Sequence, residues 1–128
     1  MKALLSLLLC LLALPAHASD AARDLLDAGR YAEARTTALA TDTVDGLNVA
    51  AEVMAAEIML MRVDDAKDHA KDAIDLAEDA LDRDPDNVEA LFMRALHMGF
   101  RTRSSTPLGI VMHGLIGKTR DAILAFEA

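Results

Sequence analysis

Residues 73–87 have the sequence AIDLAEDALDRDPDN. Alanines recur in this stretch at steps of four and three, which is the spacing of one helix face. Pro85 cannot continue a helix because its ring replaces the backbone N–H. Asp86, with Glu89 three positions later, gives a capping-box-like start for a new helix. The stretch therefore predicts the end of one helix, a short turn and the beginning of the next.

Helical spacing continues on both sides of this turn. No segment combines β-branched and aromatic residues with the alternation expected of a strand. The sequence therefore predicts an all-α protein. The predicted helices cover residues 20–28, 32–40, 44–62, 64–83, 87–101 and 108–128, with a loop over residues 103–109.

Two of these helices carry different buried stripes. Helix 44–62 has mostly large apolar side chains at helical spacing: Leu47, Ala51, Met54, Ile58 and Met61. Helix 64–83 has small ones: Ala66, Ala70, Ala73, Ala77 and Ala80. Small side chains on a buried stripe let neighbouring helices approach closely. The acidic residues between these alanines predict a solvated outer face, within which Asp65 and His69 are expected to form a surface pair.

The chain also matches itself when it is shifted by 39 residues. The matched pairs are Asp45 with Asp84, Asn48 with Asn87, Val49 with Val88, Ala51 with Ala90, Ala56 with Ala95, and Met59 with Met98. Six matches in one register indicate an internal repeat.

The repeat resembles the tetratricopeptide repeat, a helix-turn-helix unit of about 34 residues. Gly29 to Ala34 resembles its turn and second-helix start, and Ala73 to Asn87 resembles a junction between two units. Ala122, Ile123 and Phe126 begin the second-helix pattern a third time. The resemblance implies antiparallel helix hairpins over residues 19–128, stacked as an α-solenoid.

The chain departs from the family pattern in three respects. The second-helix alanines Ala34, Ala73 and Ala122 are 39 and 49 residues apart, so the repeats are irregular. Arg94 occupies a position that the family normally leaves apolar. The third repeat is incomplete at Ala128, which predicts that further helices follow or that a second copy of the chain covers this end by self-association.

Residues 1–18 have the order of a secretory signal peptide. Lys2 precedes an apolar run, and small residues precede the expected cleavage between Ala18 and Ser19. The apolar run is shorter than the roughly 20 residues that span a membrane. The pattern predicts a bacterial protein exported to the periplasm or secreted, with no membrane insertion after cleavage. Cys10 is the only cysteine, so the mature chain would contain neither a thiol nor a disulfide.

Charge restricts the class of partner. The formal net charge of the chain is −8 at pH 7. Such a protein repels phosphate backbones and anionic lipid surfaces, so nucleic acid is not an expected partner. A basic or neutral protein or peptide fits better.

The sequence predicts no enzyme activity and no cofactor. No nucleophile elbow or glycine-rich phosphate loop is present. Asp82 to Asn87 alternates carboxylates as a calcium loop does, but Asn87 and Met93 stand where that loop needs glycine and a bidentate acid. A copper site is a second metal alternative, built from Met93, His97, Met98, Met112 and His113. Methionines at helical spacing more often fill a core, so no metal site is predicted.

The tetratricopeptide resemblance implies a binding groove lined by the first helix of each hairpin. The residues that it places there are Val53, Glu57, Leu60, Glu89, Phe92, Leu96 and Phe100. Acidic and apolar side chains at these positions favour a hydrophobic or basic protein segment. The predicted function is therefore a non-enzymatic interaction or scaffold module of the cell envelope.

A second hypothesis is a periplasmic small-molecule or transport accessory protein. The glycine-containing insertion that enlarges the third unit carries a basic group, Arg101, Arg103, Lys118 and Arg120. Insertions in repeat proteins often contact partners. These four residues are thus a second candidate binding site, against the alternative of a plain loop that neutralises acidic neighbours.

Overall fold

A computed structural model describes residues 18–128 of the chain. The predicted signal peptide, apart from its last residue, lies outside the described residues. Within them 83% of residues are helical and none is in a strand, which confirms the all-α class. The helices are α1 (18–27), α2 (Tyr31–Leu39), α3 (Val44–Leu60), α4 (Val63–Arg83), α5 (Val88–Arg103), α6 (Pro107–Met112) and α7 (Leu115–Glu127).

Helices that follow one another in sequence also pack against one another. α2 contacts α3, α3 contacts α4, α4 contacts α5, and α5 contacts α7, while α3 also touches α5 directly. Among residues 18–128 no helix is long and apolar enough to cross a membrane.

The two predicted stripes form much of the core. All five alanines of the α4 stripe are buried, as predicted, and the acidic residues between them are exposed. In α3, Leu47, Ala51, Met54 and Ile58 are buried. Met61 is 37% exposed, so its assignment to the stripe is wrong. The reason is that α3 ends at Leu60 and Met61 has extended backbone angles.

Gly46 allows α2 and α3 to meet closely. A Cβ atom at this position would lie 2.5 Å from the carbonyl oxygen of Ala38 in α2 and would also collide with the Thr41 side chain. The Thr43 hydroxyl accepts a hydrogen bond from the Gly46 amide and caps α3. The absence of a side chain here is therefore a requirement of packing.

Asp84 to Asn87 connects α4 to α5, which confirms the predicted turn. The predicted capping-box start at Asp86 is wrong, because the side chain of Asn87, one position later, caps α5. Asn87 is the N-cap of α5, and its Oδ1 accepts hydrogen bonds from the Ala90 amide and from Asn48 Nδ2, each at 3.0 Å. Asn48 and Asn87 are equivalent positions of the 39-residue repeat, so one of its matched pairs is also a direct contact between α3 and α5.

The prediction of one helix over residues 108–128 is wrong. Gly114 adopts the left-handed conformation (φ 59°) and separates α6 from α7, a conformation that glycine reaches without steric cost. The predicted loop is also shorter than expected. α5 continues to Arg103, and α6 begins at Pro107 with the Thr106 hydroxyl as its cap.

Candidate functional site

Three of the seven predicted groove residues take part in the core. Val53 is fully buried in a cluster shared by α1, α2 and α3. Leu96 packs on the cluster that contains Ala51 and Ala77, and Phe100 packs on the cluster that contains Ile58. Their apolar character therefore reflects helix packing, and Val53 offers no surface to a partner.

Glu57, another predicted groove residue, is used inside the fold. Its Oε2 accepts hydrogen bonds from Arg35 Nη1 and from His69 Nε2, each at 2.6 Å. These contacts join α2, α3 and α4, and the Glu57 side chain is only 14% exposed. His69 thus pairs with Glu57, so the expected surface pair with Asp65 is wrong.

Glu89 takes part in a second network around Arg23 of α1. The Arg23 guanidinium donates to Asp45 at 2.9 Å and to Glu52 at 3.0 Å, and it lies 3.5 Å from Glu89. Burial opposes the charge on Arg23, but the three carboxylates outweigh it and raise the pKa of the guanidinium. The acids of the predicted groove are thus largely neutralised by the protein itself.

Leu60 and Phe92 are the predicted groove residues with large exposed apolar surface. Leu60 is the last residue of α3 and is 73% exposed, as are its apolar neighbours Met59 and Val63 in large part. Phe92 is 42% exposed, and its ring lies 5.4 Å from that of Phe126, with the planes tilted by 55°. Val88 lies one turn before Phe92 on the same helix face and is 66% exposed. Val88, Phe92 and Phe126 are called the aromatic strip below.

The structure brings only two of the four predicted basic residues together. Arg101 and Lys118 line a cavity of about 390 Å³ between α4, α5 and α7. The Arg103 guanidinium instead lies 5.3 Å from the centre of the Phe100 ring. Arg120 donates to Asp121, its neighbour in sequence.

The cavity contains a third cation that sequence reasoning noted only as a departure from the family pattern. Arg94 lines it, and Arg94 Nε is buried without a hydrogen-bond partner. The floor consists of Ile74, Met98 and Ala122, which belong to one buried cluster. The cavity therefore combines apolar and cationic surface within a chain of negative net charge.

His97, considered above as a metal ligand, lies in the interface between α3 and α5. The side chain is fully buried, and Nε2–H donates to the Ala51 carbonyl at 2.8 Å. Burial lowers the pKa of His97; the bond to Ala51 opposes this shift and the charge of nearby His69 adds to it. A neutral His97 holding two helices together explains its position.

The other members of the copper alternative are not brought together. Met93 and Met98 lie in different buried clusters, whereas Met112 is exposed. Within residues 18–128 no three His, Cys, Asp or Glu side chains are grouped so that they could share a metal ion.

Comparison with protein-family models, with curated proteins and with solved structures gives no match to this chain. The tetratricopeptide resemblance therefore stays a prediction that rests on the sequence repeat.

Proposed function

We propose that the chain is a non-enzymatic binding module of the cell envelope, built from stacked tetratricopeptide-like hairpins. Its partner would be a protein segment that presents a large apolar side chain beside basic residues. The N-terminal signal pattern and the 39-residue repeat support the location and the architecture. The aromatic strip supports the mode of binding.

The strip is the observation that carries this proposal. Two phenylalanines that pack against each other with tilted rings and stay about 40% exposed offer an apolar contact with little side-chain entropy to lose. Asp86 and Glu127 neighbour the strip residues in sequence, and the net charge of the chain is −8. Acidic surroundings attract a segment that carries lysine or arginine.

A peptide array probed with the purified protein tests this proposal. Enrichment of peptides that combine a large apolar residue with lysine or arginine is the expected result. Enrichment of acidic peptides, or of none, would contradict it. A chain that dimerises in light scattering, and becomes monomeric after Phe92→Ala, would show instead that a second copy occupies the strip.

Substitutions then locate the contact on the protein. Phe92→Ala and Phe126→Ala should each weaken the best peptide by about tenfold or more, because central aromatic side chains dominate binding energy. Leu60→Ala is the matched control, since Leu60 is equally apolar and more exposed but distant in sequence from the strip. The peptide affinity should not change in this variant. Equal losses at all three positions would place binding elsewhere.

A further inference from the structure

We propose that the cavity between α4, α5 and α7 binds a small organic monoanion that has one carboxylate on a short hydrocarbon body. The proposal is independent of the aromatic strip. It rests on the charge, the burial and the unpaired state of the side chains that line the cavity.

The cationic groups of the cavity have no carboxylate partners. Arg94, Arg101, Lys71 and Lys118 all line it, and none of the ion pairs among residues 18–128 includes them. Arg23 and Arg35, by contrast, are paired with carboxylates. The cavity is therefore a place where positive charge is left free to meet a ligand.

Arg94 gives the strongest indication. Its Nε is buried and makes no hydrogen bond, and leaving a buried charged donor unsatisfied costs stability. An arginine whose Nε is buried without a partner destabilises the free protein, whereas an anion bound in the cavity would satisfy that nitrogen. Carboxylates suit this role because a guanidinium can grip both oxygens at once.

The arrangement along α5 sets the shape of the ligand. Arg94, Met98 and Arg101 follow at steps of four and three, so they share one helix face. Met98 lies between two half-buried guanidinium groups and belongs to the apolar floor with Ile74 and Ala122. A ligand with an anionic head and an apolar body matches the guanidinium groups and the apolar floor of the cavity. The volume of about 390 Å³ lies in the range of small-molecule sites.

The lining also limits the charge of the ligand. Four basic and three acidic side chains surround the cavity, which leaves a formal net charge of +1. The acids, Asp75, Glu78 and Asp121, are exposed, and Asp121 already accepts hydrogen bonds from Arg120. A monoanion is compatible with this balance, whereas a nucleotide or polyphosphate would meet repulsion from the carboxylates.

Octanoate is the probe for the first experiment, with calorimetric titration and thermal unfolding as the measurements. Octanoate should bind and should raise the Tm of the full chain as its concentration rises. Acetate lacks the apolar body, octylamine has the opposite charge and 1-octanol has no charge, so each should bind at least tenfold more weakly. Absence of octanoate binding, or equal binding of octylamine, would overturn the proposal.

Arg94→Met is the decisive variant. It replaces a half-buried cation, whose buried Nε has no partner, by an apolar side chain of similar length, so the free protein should become more stable while octanoate affinity falls about tenfold or more. A purely structural role for Arg94 would instead lower the Tm of the variant. That result would contradict the proposal even if binding were also lost.

Arg103→Met is the matched control. Arg103 lies on the same helix and carries the same charge, but it packs over Phe100 and does not line the cavity. Octanoate affinity should be unchanged in this variant. If Arg103→Met lowered octanoate affinity as much as Arg94→Met does, the overall charge of the protein would explain both losses, and the proposed site would be overturned.

Discussion

Helix α3 and the pair α6 and α7 are similar in apolar content but differ in burial. Nine residues of α3 are buried, whereas α6 buries none of its six and α7 buries Leu115 and Ala122. α3 is covered by α2, α4 and α5, while α7 packs mainly on α5. The helical spacing of apolar residues therefore predicts helices in both regions. The neighbouring helices decide whether the apolar side chains form a core or a surface.

A glycine-to-alanine exchange in each region should give opposite results. Gly46→Ala should destabilise the protein by about 3 kcal/mol, because its Cβ would collide with the Ala38 carbonyl oxygen and backbone must shift. Gly117→Ala in α7 meets no atom within 4 Å and should stabilise by up to about 1 kcal/mol through helix propensity. Urea unfolding followed by circular dichroism measures both free energies of unfolding.

These two variants separate packing from helix propensity. An unchanged free energy of unfolding in Gly46→Ala would mean that α2 can move away from α3 at little cost. The contrast between the two regions would then be lost. A destabilising Gly117→Ala would mean that α7 has a neighbour at this position.

His97 makes the α3–α5 interface sensitive to pH. Burial lowers the pKa of His97 in the folded protein, whereas the unfolded chain keeps a value of about 6.5. The unfolded state then binds more protons at pH values between the folded pKa and 6.5. The stability that neutral His97 contributes should therefore be fully present above pH 7. On acidification the free energy of unfolding should fall by at most about 1.4 kcal/mol per pH unit from this group.

Urea unfolding at several pH values measures this loss. His97→Gln is the test variant because its amide can still donate to Ala51 but does not titrate. Its stability should depend less on pH than that of the unchanged protein, while His113→Gln should leave the pH dependence as it is. Parallel curves for the unchanged protein and His97→Gln would assign the acid sensitivity to the carboxylates.

Local patterns are sufficient to predict most of the helices and the turn at Asp84 to Asn87, but not the break between α6 and α7. Helical spacing, proline and capping residues act within a few positions, so the sequence carries them directly. The buried alanines of α4 were predictable for the same reason. Gly114 shows the limit, because a glycine within an apolar segment is compatible both with a continuous helix and with a break, and only the packing of α7 on α5 decides between them.

The candidate sites depended on contacts between distant residues, and here the sequence was less informative. Arg35 and Glu57 are 22 positions apart, and Arg23 meets acids in two other helices. No spacing rule predicts such pairs, so Glu57 was assigned to a groove although it is neutralised inside the fold. Arg94 is visible in the sequence as an exception to the repeat pattern. That its Nε has no partner can be seen only once α4, α5 and α7 are placed together.

Val111→Ala and Val49→Ala give the finest test of the contrast between the two regions. Val111 in α6 is 77% exposed, so its loss should change the free energy of unfolding by less than about 0.5 kcal/mol. Val49 in α3 is fully buried, and the same change should cost about 2 kcal/mol. Urea unfolding at two protein concentrations measures both variants. A Val111→Ala penalty that approaches that of Val49→Ala, and that grows with protein concentration, would show that a second copy covers α6, because only self-association makes stability depend on concentration in this way.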